Sequence, residues 1–177
     1  MNLPFCPYRL KLAHRMGNIN GHETRITAPW LRMRLAEPET AGRICLIDAT
    51  PKPGEPCIPY SRALDVRALM DTGRALPTAQ AFQSAVRSIG ATSLDQVIIY
   101  DRDDPPASSV LWHLFRAFGH RDTCILDGGY AAWRGASGEL ASRYGEQEPG
   151  TWRAQEAETA SEAFTEILRF LSISRMA

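Results

Sequence analysis

Three short unbroken apolar runs constrain the fold more than anything else in this chain: Ile44-Cys45-Leu46-Ile47, Val97-Ile98-Ile99-Tyr100 and Cys124-Ile125-Leu126. A strand with one wet face alternates apolar and polar residues, whereas a continuous run is buried on both faces, as in a parallel sheet. Helical periodicity separates the second and third runs from what precedes them. After the N-cap candidate Thr78, residues Phe82, Val86 and Ile89 recur at helical spacing up to Gly90, and a helix starting near Pro106 carries Val110, Leu111, Leu114, Phe115 and Phe118 up to Gly119. This alternation predicts an α/β domain, a parallel sheet flanked by helices on both faces and joined by right-handed crossovers. Such sheets place their chemistry outside the carboxyl ends of the strands, here the loop Asp101 to Pro106.

The flanking segments are less regular. Thr27 is placed to cap a short helix with Pro29 in its first turn, running to Leu35 and ended by Pro38. A proline-rich loop follows from Thr50 to Ser61, and Asp127 is expected to cap a short helix containing Trp133 and ending at Gly135. Polar, glycine- and glutamate-rich sequence from Ser137 to Ala160 reads as loop or linker. From Ser161 a capping pattern precedes the stripe Phe164, Ile167, Leu168 and Leu171, which predicts a terminal amphipathic helix. The expected organisation is a disordered extension over 1–24, one domain over 25–140, a linker over 141–160 and the helix over 161–173.

Composition excludes more than it proposes. A chain of 177 residues is long enough for one domain with a substantial core, and no apolar run is long enough to span a membrane. Lysine plus arginine number 20, as do aspartate plus glutamate, so neither a nucleic-acid footprint nor a polybasic membrane patch is expected. The four cysteines, Cys6, Cys45, Cys57 and Cys124, form no C-x-x-C pair and have no histidine at metal-ligand spacing, which argues against a metal site. Cys45 and Cys124 sit inside apolar runs and read as small buried hydrophobes. Free thiols of this kind suggest a reducing, cytoplasmic setting. Arg9, Lys11 and Arg15, with no acidic residue before Glu23, give residues 1–24 a transit-peptide charge pattern; the lack of serine and the breaks at Pro4, Pro7, Gly17 and Gly21 argue for a plain extension instead.

A set of short motifs falls in a familiar order: Leu46-Ile47-Asp48-Ala49, Ile58-Pro59, Leu64-Asp65, Leu76-Pro77, Phe82, Tyr100-Asp101, Trp112, Phe118-Gly119-His120, and Leu126-Asp127-Gly128-Gly129 with Trp133. From about Thr27 to Gly138 the chain resembles a rhodanese domain, and more narrowly the N-terminal, non-catalytic half of a tandem-domain thiosulfate or 3-mercaptopyruvate sulfurtransferase. The resemblance implies that a second half supplies the catalytic cysteine and its persulfide-cradling loop, with the first half packed against it. The sequence ends before such a half, so a truncated relative, a partial gene product or a free-standing version of the inactive half is expected. No cofactor beyond the persulfide is implied. In active members a cysteine follows the strand where this chain has Asp101. The family's Gly-His-Ile-Pro-Gly turn reads Pro56-Cys57-Ile58-Pro59-Tyr60 here, and Val110 stands where relatives usually carry an arginine.

A sulfurtransferase loop needs a thiolate, converging backbone N–H groups and a cation for the anionic donor. Asp101 is no soft nucleophile, Pro105 and Pro106 each remove an N–H, and Asp101, Asp103 and Asp104 outnumber Arg102. Asp103 or Asp104 has a simpler use as a cap for the following helix. A catalytic role for Asp101 would need a second titratable group; the histidine candidates are His113, read as facing solvent, and His120, read as a cation at a helix end. Cys57, read as an exposed loop thiol, is the alternative nucleophile. Two functions follow as expectations. One is a structural, regulatory or docking half that pairs with a catalytic rhodanese domain, or with itself, through Phe164, Ile167, Leu168 and Leu171. The other is a sulfurtransferase moving sulfane sulfur from thiosulfate or 3-mercaptopyruvate to a thiol or cyanide, using Cys57 or a partner-supplied cysteine. The Cys-x5-Arg loop of the cell-cycle phosphatases that share this fold is absent.

Overall fold

The three apolar runs lie side by side as the middle of a parallel sheet. The computed structural model describes residues 24–70, 76–102, 107–155 and 165. Among them the elements are β1 (Arg25–Ile26), α1 (Ala28–Leu35), α2 (Pro38–Ala41), β2 (Ile44–Asp48), β3 (Arg62–Ala63), α3 (Val66–Met70), α4 (Ala79–Ser88), β4 (Gln96–Tyr100), α5 (Ala107–Ala117), β5 (Thr123–Leu126) and α6 (Gly129–Gly135). The sheet has five strands in the order β1-β5-β4-β2-β3, every pair parallel. Asp48 pairs with Tyr100 at the carboxyl ends of β2 and β4, so Asp101 and Arg102 leave the sheet beside Asp48.

Successive strand residues point to opposite faces and divide the core in two. Cys45, Ile47, Val97, Ile99 and Ile125 pack under α3, α4 and α5 with Val66, Phe82, Val86, Leu111, Leu114 and Phe115. Ile44, Leu46, Ile98, Tyr100, Cys124 and Leu126 meet Ile26, Leu31 and Trp133 from β1, α1 and α6 on the other face. Each large apolar side chain buried this way contributes about 1.5–3 kcal/mol, which makes the doubly covered strands the stable centre. The expected α4 cap is present: Thr78 Oγ1 accepts from Ala81 N at 3.2 Å, and Gly90 takes φ +74° past the helix end. Cys45 is buried, and the loss of water pushes its thiol up to about 12 despite the nearby Arg62.

Several local expectations are corrected. Pro38 starts α2 rather than merely ending α1, since its fixed φ suits a first helical turn. Asp127 does not cap α6: Gly128 does, at φ +68°, while Asp127 pairs with Arg25 at 3.3 Å. The edge strands β1 and β3, of two residues each, and α3 have too little periodicity to be read from sequence.

The stretch expected to be a linker from 141 is irregular in backbone but packs on the domain as far as residue 155. Trp152 is only 1% exposed and meets Phe82 and Phe115 edge to face at 5.5 and 5.8 Å. Its carbonyl accepts from Arg87 Nε at 2.7 Å, and its N–H donates to the Ala91 carbonyl at 3.1 Å. Gly150 lies so close to Ala91 that a Cβ there would overlap the Ala91 carbonyl oxygen. Apart from Thr24, whose carbonyl accepts from Ile125 N, the proposed N-terminal extension lies outside the described residues, as does the stripe Phe164, Ile167, Leu168 and Leu171. Among the described residues no helix is long and apolar enough to cross a membrane.

Truncating Trp152 to alanine should lower the unfolding free energy by about 3–5 kcal/mol in urea melts. Leu94→Ala, at an 86% exposed position, should change it by no more than about 0.5 kcal/mol. An equally small effect at Trp152 would mean that residues 141–155 are a solvated linker after all.

Candidate functional site

The carboxyl ends of β2 and β4 bring Asp48, Asp101 and Arg102 together. The Asp101 carboxylate is turned toward α5, where Oδ2 accepts from Ser108 N at 3.1 Å and from Ser108 Oγ at 2.6 Å. A negative group in the first turn of an eleven-residue helix is favoured by the exposed N–H groups and by the dipole. The Asp101 carbonyl accepts from Tyr130 N at 2.9 Å. Gly129 permits this approach: it has φ +53°, and a Cβ there would sit 2.5 Å from that carbonyl oxygen. Asp101 is therefore held by a helix start on one side and a glycine turn on the other. Asp103, Asp104, Pro105 and Pro106 lie outside the described residues.

Arg102 turns inward instead of facing an anionic donor. Its Nε donates to Asp48 Oδ2 at 2.9 Å, and both side chains are essentially inaccessible, at 1% and 0%. Nη2 donates to the Pro56 carbonyl at 3.0 Å and to Tyr144 Oη at 3.1 Å, while Nη1 reaches Glu55 Oε2 at 3.5 Å. Tyr144 Oη in turn donates to Asp48 Oδ2 at 2.8 Å, and Thr50 N donates to Asp48 Oδ1 at 3.0 Å. The guanidinium lies 4.4 Å from the Tyr130 ring centroid, a cation–π contact in a dry setting. Burial alone would lower the arginine pKa, but Tyr144 and Asp48 hold it above the usual value. Burial, followed by the Asp48 charge, raises the phenol of Tyr100, and burial with the Asp48 hydrogen bond raises that of Tyr144. Both phenols thus stay protonated and act as donors.

Expectations for the remaining candidates change with burial. Cys57 is not an exposed thiol: it is 0% exposed, and its N–H and carbonyl both pair with Ala141 at 2.9 Å. His113 does not face solvent either; it is 6% exposed, with its ring 4.9 Å from that of Trp112. His120 is not a cationic helix end, because burial lowers its pKa below the usual histidine value. It also sits at the far end of α5, roughly 16 Å of helix from Asp101, too far for acid–base cooperation. Val110 is 4% exposed in the core. Among the described residues no group of three or more His, Cys, Asp or Glu side chains could hold a metal ion.

Sequence reasoning missed Asp48, Tyr130 and Tyr144 as members of this cluster. Asp48 carried a signal, since a lone carboxylate at the end of a fully apolar strand needs a buried partner. Tyr144 carried none, lying in a polar stretch whose path only the fold reveals.

Arg102→Met should destabilise the domain by about 3–5 kcal/mol, because Asp48 is left buried and charged without its cation. Adding Asp48→Leu in the same chain should recover much of that loss, and additive effects in the double-mutant cycle would show that the pair is not coupled. A thiol reagent should modify Cys57 far more slowly in the folded protein than in denaturant, read by peptide mass mapping; equal rates would place the thiol at the surface.

The rhodanese-like domain family model matches residues 27–136. The 3-mercaptopyruvate sulfurtransferase of Mus musculus is 30% identical over 147 residues, covering 73% of this chain and 50% of the relative. The thiosulfate sulfurtransferase of Bos taurus is 28% identical over 102 residues, covering 56% and 34%. The crystal structure of SseA from Escherichia coli, a 3-mercaptopyruvate sulfotransferase of rhodanese fold, superposes with a TM-score of 0.66 at 26% identity, over 77% of this chain and 57% of that one. The chain spans half the length of the mouse relative and about a third of the bovine one. Since the family match runs through more than half of the 177 residues, the chain belongs to the rhodanese-like domain family.

Proposed function

We propose that this domain carries no sulfane sulfur itself and serves as a structural, regulatory or docking half within the sulfurtransferase family. One observation carries this reading: Asp101 follows β4 where an active member has its cysteine, and its carboxylate is committed to Ser108 at the start of α5. A carboxylate oxygen cannot hold a sulfane sulfur, and here it has a complete structural use. Arg102 supports the same view, because its charge is spent on Asp48 and Glu55 and is not offered to an anionic donor. Like charges left near the loop repel such donors by about 1 kcal/mol each in water, and more where solvent is excluded.

The competing reading, an active sulfurtransferase using Cys57, requires a thiol that meets both donor and acceptor. Full burial of Cys57 weighs against it. In the docking reading the partner is a catalytic rhodanese domain or a second copy, engaged through the apolar stripe Phe164, Ile167, Leu168 and Leu171. The three described cysteines are free and buried, which suits a reducing compartment, and we place the protein in the cytoplasm on that basis.

The test is sulfur transfer to cyanide by the purified chain, with thiosulfate and separately with 3-mercaptopyruvate. No thiocyanate above the protein-free background is expected, and Cys57→Ser should change nothing. Turnover that disappears with Cys57→Ser would overturn the reading by showing that the nucleophile has moved to the 50–61 loop.

A further inference from the structure

Residues 146–155 cross the amino end of the sheet, on the side away from Asp101, and one of the contacts that hold them there is a histidine. His120 Nε2 lies 3.0 Å from the Asp95 carbonyl oxygen, which can only accept, so that nitrogen bears the proton and donates. Its other nitrogen, Nδ1, accepts from the indole Nε1–H of Trp152 at 3.2 Å. Both ring nitrogens are therefore committed, and the neutral tautomer is the one form that satisfies both partners. The segment is further attached through backbone, Gly150 N to the Arg87 carbonyl at 2.8 Å, Trp152 N to the Ala91 carbonyl at 3.1 Å and Gln155 N to the Phe118 carbonyl at 2.9 Å, and through side chains, Arg87 Nε to the Trp152 carbonyl at 2.7 Å, Arg153 N to Ser93 Oγ at 3.2 Å and Ala154 N to Gln83 Oε1 at 3.0 Å.

We propose that the His120–Trp152 hydrogen bond is a pH-sensitive clasp, and that uptake of a solvent proton at Nδ1 detaches residues 146–155 while the sheet stays folded. The proton replaces an acceptor lone pair with an N–H aimed at the indole N–H, so the bond becomes a repulsive contact between two donors. Because Trp152 is 1% exposed, its indole has no water to turn to and must leave the cluster of Phe82 and Phe115 to regain a partner.

The surroundings of the ring do not rescue the cation. Asp95 and Asp122 are the carboxylates facing it, but Thr92 engages the Asp95 carboxylate at 2.8 and 2.9 Å and Gln96 lies 3.4 Å from Asp122 Oδ1. Phe115 of α5 packs against the ring at 5.7 Å. Of the nearby cations, Arg87 of α4 binds the Trp152 carbonyl, Arg116 lies over Trp112, and Arg121 is next in sequence. Burial accordingly keeps the imidazole below its usual pKa, with Asp95 and Asp122 opposing that shift without reversing it. The sign follows. Above about pH 6.5 the histidine is neutral whether the segment is clasped or free, and the clasp is at full strength. As pH falls further, the free form binds a proton that the clasped form refuses, so release grows by up to tenfold per pH unit until the clasped histidine also titrates.

Hydrogen exchange of the full chain between pH 7.5 and 5, corrected for the intrinsic pH dependence of exchange, tests the idea. Protection of the 146–155 amides should fall by up to tenfold per pH unit below about 6.5, while β2 and β4 keep theirs. In Trp152→Phe, which has no indole N–H, that pH dependence should vanish and the His120 pKa, followed by NMR, should rise toward about 6.5. His120→Gln should likewise show no pH dependence. A wild-type His120 pKa of 6.5 or higher, protection of the segment independent of pH, or loss of strand and segment protection together would each overturn the clasp.

Discussion

The buried pair of Asp48 and Arg102 is the contact on which the arrangement at the carboxyl end of the sheet depends. Removing two charges from water costs several kcal/mol per ion, so such a pair survives only where good geometry and further hydrogen bonds offset the loss. Here Asp48 receives Thr50 N and Tyr144 Oη as well as the guanidinium, and Arg102 reaches the Pro56 carbonyl, Tyr144 and Glu55. These partners come from three separate stretches of chain: the 50–61 loop, the turn after β4 and the segment beyond α6. One ionic centre therefore ties these three stretches together beside the apolar cluster of Ile58, Tyr100 and Trp133.

That use of charge bears on the chemistry. A parallel sheet concentrates loops and helix N-termini at its carboxyl end, which makes the place suitable for binding anions. In this domain both features are satisfied internally. The N-terminus of α5 is met by the Asp101 carboxylate and the nearby cation is met by Asp48. At the opposite end of the sheet the closure is aromatic, with Trp152 packed edge to face on both Phe82 and Phe115 and hydrogen-bonded to His120. The two ends thus respond to different conditions, one to the loss of a charge and the other to the gain of a proton.

Legibility from sequence followed burial. β2, β4 and β5 were readable because strands covered on both faces must be continuously apolar, and α4 and α5 because one face of each repeats at helical spacing. The two-residue strands β1 and β3 carry no period and were invisible. Among the site residues, Asp101 stood out through the family pattern, while its commitment to Ser108 came only with the fold. The exposure of Cys57 and of His113 was misread for one reason: a proline-rich loop and a mid-helix histidine look polar locally, while burial depends on what is laid over them. For Cys57 the covering strand-like contact comes from Ala141, more than eighty residues away.

By itself the sequence determined the fold class, the order of the central elements and the absence of a cysteine after β4. These follow from local patterning and residue identity, which the chain carries without reference to its three-dimensional path. Tertiary structure alone decided that Arg102 faces inward to Asp48, that Tyr144 completes that pair and that Trp152 closes the core against His120. Each is a contact between residues 25 or more positions apart, where direction and burial are set by the packing of whole elements and leave no periodic trace in the sequence.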